Sequence, residues 1–350
     1  MSVRPRKGAP RGAPFLYPAA VTLRIGVIGT GFAGAMHARS ARDLDGVTVT
    51  AIAAATPEEA APVAEECHAR VEPDPYALCA ASDVDLVIVA TPTHLHAEYA
   101  IAAAKAGKHV FCEKPIARTV AQAEAIVAAC DEAGVSLVVG HVVRYFPEYQ
   151  IAKRMLDDGT LGRPAIATLT RGNFAVGSAR AWYLDPAKSG GVVLDLMLHD
   201  LDTARWWFGE PSRVYARRMT AGSGGLEYAI ATLRYVDRPI VHIEGSWAEH
   251  AGFRTGFELR GDRGMVVHDS RASSPFVVQS PSGSSAPAMM ATPTLADSPY
   301  RRQLRDVFAR IERREPPLVD GREGLRSLAL GLAVIESADG GKVVAWPRTE

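Results

Sequence analysis

Short apolar runs recur through the first 140 residues, each separated from the next by a more polar stretch of helical length. Leu23–Gly29, Val47–Ala53, Asp85–Ala90, His109–Cys112 and Leu137–Val139 are continuous runs rich in β-branched residues and predict strands. Between them, Ala33–Leu44, Pro57–Ala69, Ala97–Ala106 and Val120–Ala133 predict helices, the last two stopped by Gly107 and Gly134. Strands that are apolar throughout, alternating with helices, predict a parallel sheet covered on both faces. The pattern changes beyond residue 143. Ala165–Arg171, Arg213–Ala216, Tyr228–Tyr235, Ile240–Trp247, Phe257–Arg260 and Gly264–His268 are strand-like and joined by turns, which predicts a mostly antiparallel sheet. Residues 271–299, rich in Ser, Pro and Ala, read as a long surface loop, and helices over Arg301–Arg313 and Gly321–Ala338 close the chain. The fold class is α/β: a Rossmann domain over 21–142 and an α/β domain with an open sheet over 143–350.

Composition narrows the partners. Lys+Arg and Asp+Glu each number 39 in 350 residues, so the formal charge is zero and no basic surface invites nucleic acid or an anionic membrane. No run of about 18 apolar residues predicts a membrane span. The four cysteines include no Cys-x-x-Cys pair and point to reduced thiols in a cytoplasmic enzyme, without a zinc site. Residues 1–20 combine Arg4, Arg6, Lys7 and Arg11 with prolines and glycines and lack the apolar core of a secretory signal. They read as a disordered extension, or as a start codon placed too early.

Gly29-Thr30-Gly31-Phe32-Ala33-Gly34 matches G-x-G-x-x-G directly after a predicted strand and at the opening of a helix, the context a dinucleotide fingerprint requires. Gly29 permits the tight turn, Gly31 lets backbone approach a pyrophosphate, and Gly34 allows close helix–strand packing. The helix N-terminus supplies free N–H donors and partial positive charge. The second strand runs into Ala54-Ala55-Thr56-Pro57 without the acid that usually binds the ribose 2′-hydroxyl of NAD; Glu58 and Glu59 come later. No arginine stands there to hold a 2′-phosphate. The reading is NADP or NAD, leaning slightly to NADP.

Ala106-Gly107-Lys108-His109-Val110-Phe111-Cys112-Glu113-Lys114-Pro115 ends a strand directly in Glu-Lys-Pro, at the sheet edge where ligands bind. With Thr91-Pro92-Thr93-His94-Leu95-His96, Val143-Arg144-Tyr145-Phe146, Trp182–Gly209 and Asp320-Gly321-Arg322-Glu323-Gly324-Leu325, the chain over about residues 21–350 resembles the glucose–fructose oxidoreductase/inositol dehydrogenase family (Gfo/Idh/MocA). The resemblance implies that Ala54, Thr91, Pro92, His96, Glu113 and Lys114 join the glycine turn in holding the cofactor. It implies that Lys114 is the catalytic lysine, in a turn where a cis bond to Pro115 is usual, and that the open sheet serves a homodimer or homotetramer.

Asp195 and His199 stand four apart in a predicted helix and so share one face. An imidazole beside a carboxylate can accept the proton of an alcohol being oxidised, the carboxylate bonding the hydroxyl or holding the ring. The resemblance assigns those roles to this pair and places Arg144, and less directly Asn173, near substrate. Asp200, Asp202 and Arg205 read as ion-pair or packing residues, and Trp182, Trp206 and Trp207 as core. Met197 stands where many relatives carry glycine, which favours the inositol-dehydrogenase-like branch. The expected activity is NAD(P)-dependent oxidation of a secondary alcohol on a sugar, inositol or related polyol, with no metal. The alternatives are the same fold holding NAD permanently for glycoside cleavage or epimerisation, and a non-catalytic NAD(P)-binding regulator.

Overall fold

The computed structural model describes residues 23–174, 178–221, 225–237, 239–272, 276–279, 285–287 and 297–346; the predicted extension 1–20 lies outside them. Six strands form the first sheet: β1 (Leu23–Ile28), β2 (Val47–Ala53), β3 (Arg70–Val71), β4 (Leu86–Val89), β5 (His109–Cys112) and β6 (Leu137–Val139). All pair in parallel, in the order β3-β2-β1-β4-β5-β6. Order reverses between β1 and β4, which opens a crevice at their carboxyl ends. Val27, Ile88 and Phe111 are wholly buried because helices cover both faces. Those helices are α1 (Phe32–Arg42), α2 (Pro57–Cys67), α3 (Pro75–Ala80), α4 (His96–Lys105) and α5 (Val120–Ala133). Thr119 and Gln122 form a capping box at the start of α5, and Gly134, in the left-handed region, ends it.

After α6 (Pro147–Asp157) comes a nine-stranded sheet: β7 (Pro164–Gly172), β8 (Arg213–Ala221), β9 (Leu226–Arg234), β10 (Ile240–Ser246), β11 (Arg254–Gly261), β12 (Met265–Asp269), β13 (Phe276–Gln279), β14 (Ser285–Pro287) and β15 (Val344–Ala345). Its order is β14-β13-β12-β11-β7-β10-β9-β8-β15. Only β7 and β10 run parallel. After the short α7 (Pro186–Ser189), α8 (Leu198–Phe208) packs across one face against β7 and β10. The other face is open, so β9 alternates: Ala229, Ala231 and Leu233 are buried, while Tyr228 and Ile230 are exposed. Two strands within 271–299 correct the expected loop: β13 and β14 prolong the sheet by pairing with β12 and with each other.

The last helices join the halves. α9 (Pro299–Arg313) packs against α1 and the segment Val142–Tyr145. Its apolar stripe of Leu304, Val307 and Phe308 shares a buried cluster with Ala38 and Ala41 of α1. α10 (Gly321–Gly340) lies against β6, and a Cβ on Gly324 would come within 2.5 Å of Val139. No described helix is long and apolar enough to cross a membrane.

Candidate active site

The glycine turn has the geometry its sequence predicts. Gly29 adopts φ +100°, and a Cβ there would lie 2.4 Å from the Ala90 carbonyl oxygen. A Cβ on Gly34 would lie 1.9 Å from the Gly29 oxygen, so helix and strand approach only because both are glycine. A Cβ on Gly31 would meet nothing within 4 Å, which leaves open space where a pyrophosphate would approach. Gly31 caps α1 without a side-chain hydrogen bond, leaving the first amides of the helix, from Phe32, Ala33 and Gly34, for an anion. Thr30 turns its hydroxyl to the Glu59 carbonyl at 3.0 Å. Ala54 follows the end of β2. Thr91 and Pro92 follow β4, and the Thr91 hydroxyl is buried without a protein partner. An open glycine cradle, free helix amides and an orphaned hydroxyl beside them fit a dinucleotide.

Two residues expected to touch the cofactor also brace the turn. His96 is buried, with Nδ1 2.8 Å from the Pro115 oxygen and Nε2 2.9 Å from the Thr91 oxygen. It thereby ties the end of β4 to the Glu-Lys-Pro turn, whose Lys114–Pro115 bond is cis. Glu113 is buried too, with Oε1 2.6 Å from His37 Nε2 on α1 and Oε2 accepting the Lys114 amide at 3.0 Å. Burial pushes the Glu113 carboxyl up, but the His37 bond and the Lys114 charge outweigh it and hold it below the usual range.

Lys114 leaves β5 toward the second domain. Its Nζ donates to the Asp195 backbone oxygen at 2.6 Å and lies 3.4 Å from Asp195 Oδ1. The other oxygen, Oδ2, accepts from Trp247 Nε1 at 3.1 Å. Asp195 belongs to a π-helical turn, Val193–Met197, that leads into α8, where His199 stands. The pair therefore comes to the site, but Asp195 bonds Lys114 and Trp247 and does not hold the imidazole; His199 Nδ1 is buried without a partner. Burial, reinforced by the charges of Lys114 and Arg171, keeps His199 well below the usual histidine range. It is thus held as a neutral ring.

Arg144 is corrected from substrate contact to structural ion pair. Its buried guanidinium bonds both oxygens of Asp202 at 2.8 Å and Glu323 at 2.9 Å. Asp200 pairs with Arg171 at 2.8 and 2.9 Å, and Arg205 with Glu210. Asn173 follows β7 and turns its Oδ1 back on the Phe174 amide at 2.9 Å, leaving its amide nitrogen for a ligand. Met197 is buried over Gly245 rather than facing the cleft, so its size reflects packing. Trp207 is core, whereas Trp182 keeps some exposure and stacks on Tyr183 at 3.9 Å.

His37, His141, Arg171 and Trp247 carry no sequence signal that marks them as site residues, and Glu227 leaves no more than an acid in register with the inward face of β9. His141 is buried 3.6 Å from Asp202 with neither ring nitrogen hydrogen-bonded. Burial, helped by Arg144, Arg205 and Lys114 against the pull of Asp202, lowers it to about 4. Between about pH 6.5 and its folded value, the unfolded chain binds a proton there that the folded chain does not. Stability contributed by the neutral ring is therefore present above that window and lost on acidification through it, by roughly 3 kcal/mol. Urea midpoints at about pH 7 and about pH 4.5 are expected to converge in His141→Phe; an unchanged gap would contradict this assignment.

A dinucleotide cradle joined to a lysine, a carboxylate and a neutral imidazole at one cleft defines a nicotinamide-dependent oxidoreductase. Residues 23–141 match the family model described as oxidoreductase family, NAD-binding Rossmann fold, and residues 149–267 match the GFO/IDH/MocA C-terminal domain. The chain belongs to the GFO/IDH/MocA oxidoreductase family. It is 28% identical to a myo-inositol 2-dehydrogenase of Thermotoga maritima, over 91% of this chain and 96% of that one. It is 34% identical to an inositol 2-dehydrogenase of Acidothermus cellulolyticus, over 70% of this chain and 72% of that one. A levoglucosan dehydrogenase solved with NADH and L-sorbose superposes with a TM-score of 0.84 at 25% identity, covering 93% of this chain and 99% of that one.

Proposed function

We propose that this protein oxidises a secondary alcohol on a sugar, inositol or related polyol, with NAD or NADP as hydride acceptor. The observation that carries this reading is the convergence of the Lys114 ammonium and the unprotonated His199 ring at the carboxyl end of β5. The names of the inositol and levoglucosan dehydrogenases support the substrate class. Bound nicotinamide supplies the acceptor for the hydride that leaves the carbinol carbon. Gly29–Gly34, Ala54, Thr91 and Pro92 would hold the dinucleotide. His199 takes the hydroxyl proton, Lys114 stabilises negative charge growing on that oxygen, and Asp195 fixes Lys114 while offering Oδ1 to a substrate hydroxyl. The Asn173 amide nitrogen would donate to a further hydroxyl.

The tip of β2 carries neither the acid that selects NAD nor a cation for the 2′-phosphate of NADP. The acid-free tip leans to NADP, and the two reduced cofactors are expected to bind within about tenfold of each other. Fluorescence titration with NADH and NADPH separately tests this; failure of the folded, cofactor-free protein to bind either overturns the proposed function.

The open face of the nine-stranded sheet sets Met219 opposite Tyr228, and Ile230 between Arg217 and Glu244. These exposed apolar side chains support a homodimer or homotetramer formed through this face. Ile230→Lys should lower the sedimenting mass; a wild-type protein already monomeric at micromolar concentration would refute the assembly.

A further inference from the structure

We propose that Glu227 is the positioning residue of Asp195, gripping the segment that carries it at two points and so setting its reach to Lys114. The helical stretch beginning at Val192 runs through the π turn into α8, and its first amides have no partner within the helix. Glu227 Oε2 accepts the Val192 amide at 2.9 Å, placing a carboxylate on the positive end of that stretch. The approach needs glycine beforehand: Gly191 has φ +68°, and a Cβ there would lie 2.6 Å from Oε2. The second grip is through the main chain. The Glu227 carbonyl accepts the Trp247 amide at 2.7 Å, and the Trp247 indole donates to Asp195 Oδ2 at 3.1 Å. Backbone and carboxylate of one residue thus close a ring around Asp195, whose remaining contacts go to Lys114.

A purely structural residue would not be an acid at this place. Glu227 shares the inward face of β9 with Ala229, Ala231 and Leu233 and is buried. Burying a carboxylate there is costly without strong partners. Its cation, Arg218, stands 3.7 Å away and is engaged with Asp339 at 2.6 Å. Burial pushes the Glu227 carboxyl up, with the Val192 amide and Arg218 opposing and Asp339 and Asp195 reinforcing. The acceptor for Val192 is what the position supplies.

The kinetic arm of the test rests on the proposed function; the spectroscopic arm does not. The chain has five tryptophans, so ¹⁵N-tryptophan labelling of the full chain gives a small set of indole N–H signals, with Trp247 assigned by its loss in Trp247→Phe. Glu227→Ala should move the Trp247 signal in the direction that Asp195→Asn moves it, while the other indoles stay. Glu227→Gln, whose amide oxygen still accepts the Val192 N–H, should leave it in place. In turnover, Glu227→Ala should lower kcat about tenfold or more with NADH affinity unchanged, and Glu227→Gln should restore most of it. A Trp247 signal unmoved in Glu227→Ala, or moved equally in Glu227→Gln, overturns the proposal. If the signal behaves as expected while the wild type oxidises no polyol, positioning stands and the proposed function falls.

Discussion

Lys114→Ala is expected to lower polyol turnover by about 10³-fold while NADH affinity stays within about threefold. In the proposed reading the glycine turn, the α1 amides and Thr91 would hold the dinucleotide without Lys114 Nζ, so its loss should leave binding nearly intact. What disappears is the ammonium proposed to face the substrate oxygen, together with its bonds to the Asp195 carbonyl and carboxylate. The same substitution removes a charge that depresses His199, although burial remains the larger cause. The His199 ring should therefore titrate higher in Lys114→Ala than in the wild type, yet still below the ordinary histidine value. Steady-state kinetics and an imidazole NMR titration check both parts. Equal losses in turnover and cofactor affinity would show that Lys114 serves binding rather than catalysis.

Arg144→Met should be the most damaging single change to the fold away from the site, costing roughly 3–5 kcal/mol. Asp202 is wholly buried, and the pull of Arg144, with help from Arg205, holds its carboxyl far below the usual range despite burial. Removing the guanidinium leaves that charge with the Ser327 hydroxyl as its remaining hydrogen-bond donor, at 2.8 Å. Arg144→Met combined with Asp202→Leu should recover most of the loss, because an apolar pair of similar volume leaves no charge stranded. Urea unfolding of the single and double variants tests the coupling. A double variant as unstable as the single would mean that packing, not charge, makes Arg144 necessary.

Much of the architecture is legible in the sequence because its signals are local. Continuous apolar runs mark the parallel sheet, alternation marks the open one, and Gly29, Gly31 and Gly34 each occupy the place their spacing predicts. Lys114, Asp195 and His199 stand out as candidates because Glu-Lys-Pro ends a strand and the other two are four apart in a predicted helix. The remainder depends on partners distant in sequence. Arg144 has the residue type of a substrate clamp, and only the approach of α8 and α10 shows its charge to be engaged by Asp202 and Glu323. His37 lies on the buried face of α1, and its partner Glu113 is 76 residues away. Glu227 does leave a signal, an acid in register with inward-facing Ala229, Ala231 and Leu233, but it falls just before the strand start read from Tyr228. The π turn has no periodicity of its own to betray it.

The most direct test of the account follows nicotinamide absorbance as purified protein meets a panel of cyclitols and pyranoses, with NAD⁺ and NADP⁺ supplied separately. Reduced nicotinamide is expected with at least one member of the panel, and its formation should be lost in both Lys114→Ala and His199→Ala. A folded wild-type protein that binds NADH or NADPH yet reduces neither oxidised cofactor with any polyol would contradict it.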